Sequence, residues 1–454
     1  MKVSNHGTSS LKSEKDSNGS QMAEYAKLSN PDKGLMVQNT ADKIFKTGYV
    51  CDHCLGRQFG QLLSGYTHEE RGRAIRTVLA MSAEIGEFPF NENFRDIKFR
   101  LLKAPSKPEG ENKPCWVCEG LFEKIGEIAK RAAEELKGIE FNTFHVGVTL
   151  SKKLLLNEEK LWESAGIDYC ESIKTEIGRE VGKQLSRELG KIVDLKNPDI
   201  VLLLNLERNA IELTLNPIYI AGRYKKFAKI PQTTWYCPRC HGTGCDNCNW
   251  TGRLAKTSVQ EIIAEPLLKA TKGTGTRFHG AGREDADVLC LASRDFIIEI
   301  LEPRKRKIDL KKIKLKASDA KKVEVNGLKF VSKEDIVKVK EMKAHKVYKM
   351  IVTLGKPVTT KDLEGLKTLK ATISQRTPQR VAHRRADIVR RRKIFSIKYK
   401  LVNSKTLELE VETEAGLYVK ELVSGDEGRT KPSVSDILKV PASVKELNVI
   451  GIKS

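Results

Sequence analysis

The chain has 454 residues, a formal net charge of +22 and a pI near 9.4. It is too long for one compact core, so two to four domains are expected. The longest apolar run, at residues 200–204, has the length of a buried strand, and none approaches a membrane span. No apolar segment follows the charges near the N-terminus, so we expect a cytoplasmic protein without a secretory signal.

The positive surplus indicates a polyanionic partner, either nucleic acid or an anionic membrane surface. The sequence contains no amphipathic basic helix and no lipidation motif, so nucleic acid is favoured and no membrane partner is expected. A solvated basic face, or adaptation to an unusual cytoplasm, is the alternative interpretation. Charge alone does not identify the nucleic acid or the chemistry performed on it.

Helical patterns dominate the chain up to residue 138. Residues 1–38 have the polar, charged and Gly-containing composition of a disordered tail. Residues 39–138 predict a helical region in which cysteine pairs lie at the edges of helices. One pair follows the helical pattern of residues 41–49, and the other precedes that of residues 119–136.

Strands and helices alternate over residues 139–232, which predicts a small α/β domain. Apolar residues recur at helical spacing within residues 171–189. Strands are predicted at residues 145–149, 199–206 and 210–215.

Residues 233–454 form a long α+β region. Its strands are predicted near residues 296–300, 347–353, 394–401 and 407–413. Two basic stretches, residues 304–307 and 380–393, interrupt the pattern. The second carries seven positive charges in fourteen residues. As a helix it would span roughly 20 Å, at about 1.5 Å per residue, enough to follow several phosphates.

Eight of the ten cysteines form four C-x-x-C pairs. In a chain without an export signal the thiols stay reduced, so metal binding is favoured over disulfides. Cys170 and Cys290, outside the pairs, are expected to be small buried apolar residues. Two closely spaced pairs predict a closed, structural four-thiolate zinc site, formed by Cys237, Cys240, Cys245 and Cys248.

The other two pairs are far apart in the sequence, which makes them a less specific zinc signal. Unrelated reduced pairs, or redox-active ones, are the alternative interpretation. This second candidate set consists of Cys51, Cys54, Cys115 and Cys118.

A candidate nucleophile lies in the run Gly-Arg-Glu-Asp at residues 282–285. The run alone is common and also fits a turn with a surface ion pair. Here it belongs to a Gly-rich loop, residues 277–288, that leads towards a predicted strand. Asp285 is therefore expected at the mouth of a strand, among arginines, where it is placed to act on an anionic polymer. Asp287 is the competing carboxylate, since two residues along a strand its side chain points to the same side.

Three motifs, in order, resemble those of pseudouridine synthases. The Gly-Arg-Glu-Asp run is similar to the motif of their catalytic aspartate, which implies that Asp285 is the nucleophile. Residues 345–352 resemble a Lys-x-Tyr-x-x-x-Val motif, whose tyrosine, Tyr348 here, packs on and orients the target base. Residues 415–422 resemble a Gly-x-Tyr-[Ile/Val]-[Lys/Arg] motif, whose basic residue, Lys420 here, pairs with the aspartate. Without this resemblance Tyr348 is typical of a core position and Lys420 of a surface one.

Two further runs, residues 222–235 and 375–385, are similar to signatures of the Pus-ten family of tRNA pseudouridine synthases in its archaeal form. The resemblance covers residues 45–454. It implies an α+β multidomain protein, with a zinc-bearing accessory domain that contains a THUMP-like RNA-binding fold at residues 139–232. A catalytic domain with a mixed, largely antiparallel sheet is expected at residues 233–454.

The implied reaction isomerises uridines 54 and 55 of the tRNA TΨC loop to pseudouridine after base flipping. No catalytic or small-molecule cofactor is expected, and zinc would be structural. The partner is the TΨC arm, and a monomer is the default oligomeric state. The residues predicted to bind the substrate are basic, namely Arg283, Arg380, Arg384, Arg385, Arg429 and Lys431.

Two other functions are considered. Another THUMP-type tRNA-modifying enzyme, such as a methyltransferase or thiolation enzyme, requires a cofactor or phosphate loop. The nearest run, residues 272–277, lacks the spacing of either loop. A non-enzymatic zinc-ribbon RNA-binding protein explains the charge and the cysteines but leaves the three ordered motifs unexplained.

Overall fold

A computed structural model describes residues 36–101, 113–383 and 385–453. Of the predicted tail, residues 1–35 lie outside the described part, and residues 36–38 belong to the first helix. The described residues divide into two compact units, the first within residues 36–137 and 142–214 and the second within residues 138–141 and 215–453. Every helix within the described ranges is too short or too polar to cross a membrane.

The first unit combines helices with a four-stranded sheet of order β2-β1-β3-β4. β1 runs parallel to both β2 and β3. The described helices are α1 Met36–Phe45, α2 Asp52–Arg57, α3 His68–Glu84, α4 Ile125–Glu135, α5 Lys152–Ala165 and α6 Ile173–Leu189. The strands are β1 Thr143–Thr149, β2 Ile192–Val193, β3 Ile200–Asn205 and β4 Ala210–Leu215.

Helix α6 shows how the sequence builds this unit. Ser172 caps its first turn by accepting a hydrogen bond from the amide of Thr175, and Gly190 ends it with a left-handed φ of 62°. Its apolar residues form one buried stripe, as their spacing predicted. The alternating burial of β1 places every second side chain in the core that α6 covers.

A buried ion-pair cluster joins the helical, cysteine-bearing region to the α/β region within the first unit. Arg57 is fully buried in α2, and its Nη1 lies 3.1 Å from Glu176 Oε2 in α6. His53 Nδ1 lies 2.8 Å from the other oxygen of Glu176. Arg57 Nη1 also donates to the sulfur of Cys54 at 3.6 Å. Buried charges need such partners, so these contacts fix α2 on α6.

The second unit is built on a ten-stranded sheet of order β13-β10-β11-β12-β9-β14-β7-β5-β8, with β6 also paired to β7. Its described helices are α7 Val259–Thr271, α8 Ala317–Ala320, α9 Asp335–Glu341, α10 Gln379–Ala382, α11 Val419–Ser424 and α12 Val434–Leu438. Its strands are β5 Ile218–Lys226, β6 Gly275–Gly280, β7 Leu289–Leu301, β8 Val323–Val331, β9 His345–Leu354, β10 Thr372–Arg376, β11 Val389–Asn403, β12 Thr406–Thr413, β13 Thr430–Lys431 and β14 Ala442–Lys453.

Short 3-10 helices complete the described secondary structure. They are Glu92–Phe94, Leu121–Lys124, Asp246–Cys248, Leu310–Lys312, Asp362–Leu369 and Asp426–Gly428.

Most strand pairs of the large sheet are antiparallel, and β14 pairs in parallel with the start of β7. This confirms the predicted mixed, largely antiparallel sheet and the α+β class. One apolar core packs around β9, β11, β12 and β14, and another packs α7 against β5 and β7. In β12 strict alternation buries Leu407, Leu409 and Val411.

Two expectations from the sequence differ from the structure. The boundary predicted between residues 232 and 233 comes too late, because β5 is hydrogen-bonded between β7 and β8 in the second sheet. The helix considered for residues 380–393 does not extend over that length. Among the described residues of this stretch α10 is the helical part, and residues 389–393 form the start of β11, since their backbone pairs with β10.

A substitution at Gly222 tests how tightly this sheet is packed. A Cβ at this buried position of β5 would lie 2.9 Å from side-chain carbons of Leu328 and Phe296. We expect Gly222→Ala to lower the free energy of unfolding by about 1–3 kcal/mol, the usual cost of overpacking. Urea unfolding followed by circular dichroism measures the effect.

The matched control for this prediction is Gly275→Ala in β6, where a Cβ meets Leu301 at 3.5 Å, an ordinary contact. Equal unfolding midpoints for the two variants would contradict the packing described.

Candidate active site and metal-binding clusters

The candidate nucleophile lies in the loop of residues 281–288, between β6 and β7. The amide of Val288 donates to Asp285 O at 3.1 Å and closes the turn. Gly282 has a left-handed φ of 79°, and a Cβ there would lie 2.9 Å from Lys346 Nζ. Both the backbone conformation and the available space therefore favour glycine at the start of the motif.

The loop rests on a buried cluster of charges centred on Glu284. Tyr224 donates its hydroxyl to Glu284 Oε1 at 3.1 Å. Arg294 Nη2 lies 3.1 Å from Oε2, and Lys226 Nζ lies 3.7 Å from Oε1. The three charged side chains are at most 2% exposed. Because buried charges are costly without partners, the Glu284 carboxylate is what permits two cations to be buried here.

The two buried cations bind the backbone next to the candidate nucleophile. Lys226 donates to Asp285 O at 3.2 Å. Arg294 donates to Ala281 O at 2.9 Å. Both carbonyls belong to the loop, so the buried cluster fixes its backbone while leaving the carboxylate of Asp285 on the solvent side.

The Asp285 side chain is 40% exposed and has two cationic neighbours. Its Oδ2 lies 3.4 Å from Lys420 Nζ and 3.2 Å from Arg380 Nη1. Lys420 also contacts Asp287, with 2.9 Å from Nζ to Oδ2. Burial raises the pKa of Asp287, but the Lys420 ammonium outweighs it and lowers the net value. The structure thus brings Asp285 and Lys420 together and adds Arg380 and Asp287 to the same group.

Tyr348 lies in β9, opposite Val411 in β12 and Val449 in β14, and packs partly buried against the core. Burial raises its pKa to about 12, so its hydroxyl is protonated at neutral pH. The charges of Glu284 and Asp285 add to this rise. The residue is part of the core, and Lys346, two positions earlier in β9, lies beside the loop at Gly282.

The basic residues predicted to bind the substrate have different surroundings. Arg384 lies outside the described residues. Arg380 contacts Asp285, and Arg429 donates to Thr377 O at 2.7 Å, so its guanidinium holds a loop of the protein itself. Four of the six are exposed to solvent, namely Arg283, Arg380, Arg385 and Lys431.

Both predicted four-cysteine sets come together, and within each set the four sulfur atoms lie within 4.8 Å of one another. Cys51 and Cys118 are 3.7 Å apart between sulfurs, and Cys237 and Cys245 are 3.8 Å apart. A tetrahedral site with zinc–sulfur bonds of about 2.3 Å has sulfur–sulfur edges of about 3.8 Å. Each set therefore has the shape to hold one metal ion. The sets are Cys51, Cys54, Cys115 and Cys118 in the first unit, and Cys237, Cys240, Cys245 and Cys248 in the second.

Sequence reasoning missed the buried charges that support the loop. Glu284 was part of the motif but received no role, and Tyr224 and Lys226 lay unused in the run of residues 222–235. The available signal was the alternation of β5, which puts these two polar residues on the same face as buried Ile218 and Ile220.

Comparisons with known proteins follow the same division of the chain. The family model described as Pus10, C-terminal, matches residues 219–453, and that of the Pus10 THUMP domain, archaeal, matches residues 128–205. A tRNA pseudouridine synthase Pus10 of Methanothrix thermoacetophila is 41% identical over 424 residues, which cover 91% of this chain and 94% of that protein. The Methanopyrus kandleri protein of the same name is 42% identical over 413 residues, covering 88% and 94%.

A solved Cbf5-Nop10-Gar1 complex contains a chain that matches 50% of this chain and 47% of its own length. The two are 17% identical and superpose with a TM-score of 0.29.

The catalytic-domain match and the full-length relatives define a pseudouridine synthase. The chain belongs to the Pus10 family of tRNA pseudouridine synthases, the family written Pus-ten above. It is therefore an enzyme, an isomerase whose substrate is tRNA, with a THUMP domain and a catalytic domain. This confirms the resemblance and removes the non-enzymatic RNA-binding protein and the other THUMP-type enzymes as alternatives.

Lys346, which lies beside Gly282 and Arg294, gives a prediction in pH. Burial, followed by the charge of Arg294, lowers its pKa from 10.5 to about 8. Between these values the unfolded chain binds more protons than the folded one, so the stability contributed by this site rises with pH. Over this range we expect the free energy of unfolding of the wild type, relative to that of Lys346→Met, to increase by up to about 1.36 kcal/mol per pH unit.

Urea unfolding of both proteins at several pH values between 7 and 10.5 measures this difference. Because the other titrating groups are shared, the comparison isolates Lys346. A difference in the free energy of unfolding that does not change over the window would show that Lys346 titrates normally.

Proposed function

We propose that the protein isomerises uridines 54 and 55 of the tRNA TΨC loop to pseudouridine, with Asp285 as the nucleophile. The observation that carries this proposal is the Asp285 carboxylate, which is partly exposed on a loop bound by Lys226 and Arg294 and lies 3.4 Å from Lys420. The two positions follow from the resemblance of residues 222–235 and 375–385 to family signatures.

The reaction breaks the bond from ribose to a uracil nitrogen, turns the base and rejoins it through carbon. No atom is gained or lost, so neither an oxidant nor a reductant is required. A carboxylate is suited to it, because it can form a covalent adduct and then leave. Lys420 Nζ, 3.4 Å from Asp285 Oδ2, places a positive charge beside the attacking carboxylate.

The target uridine has to leave its stack to reach Asp285, so the enzyme acts on a flipped nucleotide. Tyr348 supplies a ring face for uracil and a protonated hydroxyl for orientation. The exposed Arg283, Arg385 and Lys431 provide positive charge for the phosphates of the TΨC arm. The start of strand β11 carries further arginines at residues 390–392, so the basic track runs along a loop and a strand rather than along a helix.

We further propose that each four-cysteine set holds one structural Zn²⁺. Four thiolates close the coordination sphere and leave no open position for substrate or water. Backbone amides support the second set, since Gly244 and Gly252 donate to the sulfurs of Cys240 and Cys248, each at 3.2 Å. Monomeric state and cytoplasmic localisation stay predictions from the sequence.

The nucleophile is tested by Asp285→Ala and Asp287→Ala, which remove the two competing carboxylates one at a time. We expect Asp285→Ala to lose at least about 1,000-fold in turnover, because no other group supplies the covalent step. Asp287→Ala should stay within about tenfold of wild type, since it loses only a neighbour of Lys420.

The assay is carbodiimide primer extension on an unmodified tRNA transcript, repeated with transcripts in which uridine 54 or 55 is cytidine. Pseudouridine formed by Asp285→Ala at the wild-type rate would eliminate Asp285 as nucleophile. Pseudouridine formed only at positions other than 54 and 55 would rule out these two uridines as the target.

If each four-cysteine set holds one Zn²⁺, elemental mass spectrometry of the purified protein should find two equivalents of zinc per chain. Cys240→Ser should reduce this to about one, because three thiolates and a hydroxyl bind zinc weakly. Cys170→Ser, outside both sets, is the matched control and should keep two. One equivalent in the wild type, or two in Cys240→Ser, would contradict the assignment.

A further inference from the structure

We propose that Arg380 is a positioning residue for the nucleophile: anchored by the buried carboxylate of Glu421, its guanidinium holds the Asp285 carboxylate in the orientation used for attack. The inference deepens the proposed function and rests on it, since it assigns Arg380 a part in the use of Asp285. It replaces the substrate-binding role that the basic run of residues 380–393 suggested.

The guanidinium of Arg380 joins two carboxylates. Its Nε donates to Glu421 Oε1 at 2.6 Å, and its Nη1 lies 3.2 Å from Asp285 Oδ2. Both nitrogens belong to one rigid planar fork. Fixing the Nε end on Glu421 therefore fixes the direction in which the Nη1 end meets Asp285.

Glu421 is the anchor because it is buried. It lies in α11, next to Lys420, and its side chain is 5% exposed. Within the described residues its Oε2 has no hydrogen-bond partner. Its Oε1 accepts the charge-assisted hydrogen bond from Arg380. A buried carboxylate whose cation is removed becomes strongly unfavourable, so the pair is held together in the absence of RNA.

Each of the two cations that contact Asp285 is shared with a second carboxylate. Lys420 Nζ lies 2.9 Å from Asp287 but 3.4 Å from Asp285, so one ammonium is shared between two carboxylates. Arg380 supplies the second positive charge, and it is the cation nearer to Asp285. Without Arg380, Lys420 would be the remaining cation in contact with Asp285 among the described residues. Its ammonium would then be drawn towards Asp287, which lies closer.

The segment that carries Arg380 is positioned by contacts with the same region of the fold. Gln375 in β10 accepts from the amide of Tyr418 at 2.8 Å and donates to its carbonyl at 2.9 Å, next to the start of α11. The amide of Gln379 donates to Asp426 at 3.2 Å. These bonds set α10 beside α11, so Arg380 reaches Asp285 from a fixed base.

The test compares Arg380→Gln, Glu421→Gln and the double variant in full-length protein with a tRNA transcript. We expect Arg380→Gln to slow the single-turnover rate at saturating tRNA by about 100-fold, the order of loss for a misplaced reacting group. The tRNA Kd and its salt dependence should change little. Glu421→Gln should slow the same step, and the double variant should match Arg380→Gln, because both act through one contact.

Arg380→Lys tests the two-ended fork directly. An ammonium is a point charge and cannot hold both carboxylates in one plane, so the rate should fall between those of wild type and Arg380→Gln. Thermal unfolding of each variant shows whether the fold is retained, and the lysine variant keeps the buried charge paired if the glutamine variant does not fold.

The matched control is Arg385→Gln, an exposed arginine of the same segment. It should raise the tRNA Kd and reduce the slope of log affinity against log salt by about one, the signature of a phosphate contact. If Arg380→Gln shows that signature with a wild-type rate at saturation, or if its effect adds to that of Glu421→Gln, the inference is wrong. A wild type without product, or activity retained in Asp285→Ala, would instead defeat the proposed function.

Discussion

The active site depends on the burial of one carboxylate, that of Glu284, beneath the loop that carries Asp285. Its charge allows Lys226 and Arg294 to be buried, and these two cations in turn bind carbonyls of the loop. An unpaired ion in this position would cost several kcal/mol, so the three charges are retained together. The result is a candidate nucleophile that is exposed at its carboxylate and fixed at its backbone, the preorganisation that the proposed catalysis needs.

Around Asp285 the charges form a second, solvent-facing layer. Lys420 serves both Asp285 and Asp287, and Arg380 links Asp285 to buried Glu421. The buried layer sets where the loop lies, and the outer layer sets how its carboxylate is oriented. The four-cysteine sets belong to neither layer, so the side chains that could hold a metal ion are separate from those around Asp285.

Periodicity and spacing predicted much of this molecule. The strands of the α/β region, helix α6 and the cysteine set of residues 237–248 follow from local pattern, because each depends on neighbours along the chain. For the arginine-rich run a helix was considered, but pairing with β10 makes residues 389–393 a strand, and this pairing cannot be read from local pattern. The contact of Tyr224 with Glu284, 60 residues apart, was equally unpredictable, since a glutamate in a charged motif is usually exposed.

The central claim is that the charge of Glu284 holds the nucleophile loop, and hydrogen exchange of the loop amides tests it most directly. Protection of residues 281–288 is compared between wild type and Glu284→Gln by mass spectrometry. The account predicts that protection of this loop falls at least about tenfold in the variant while helix α7, in the neighbouring core, stays protected, as expected for a local opening. Unchanged protection of residues 281–288 in Glu284→Gln would contradict it.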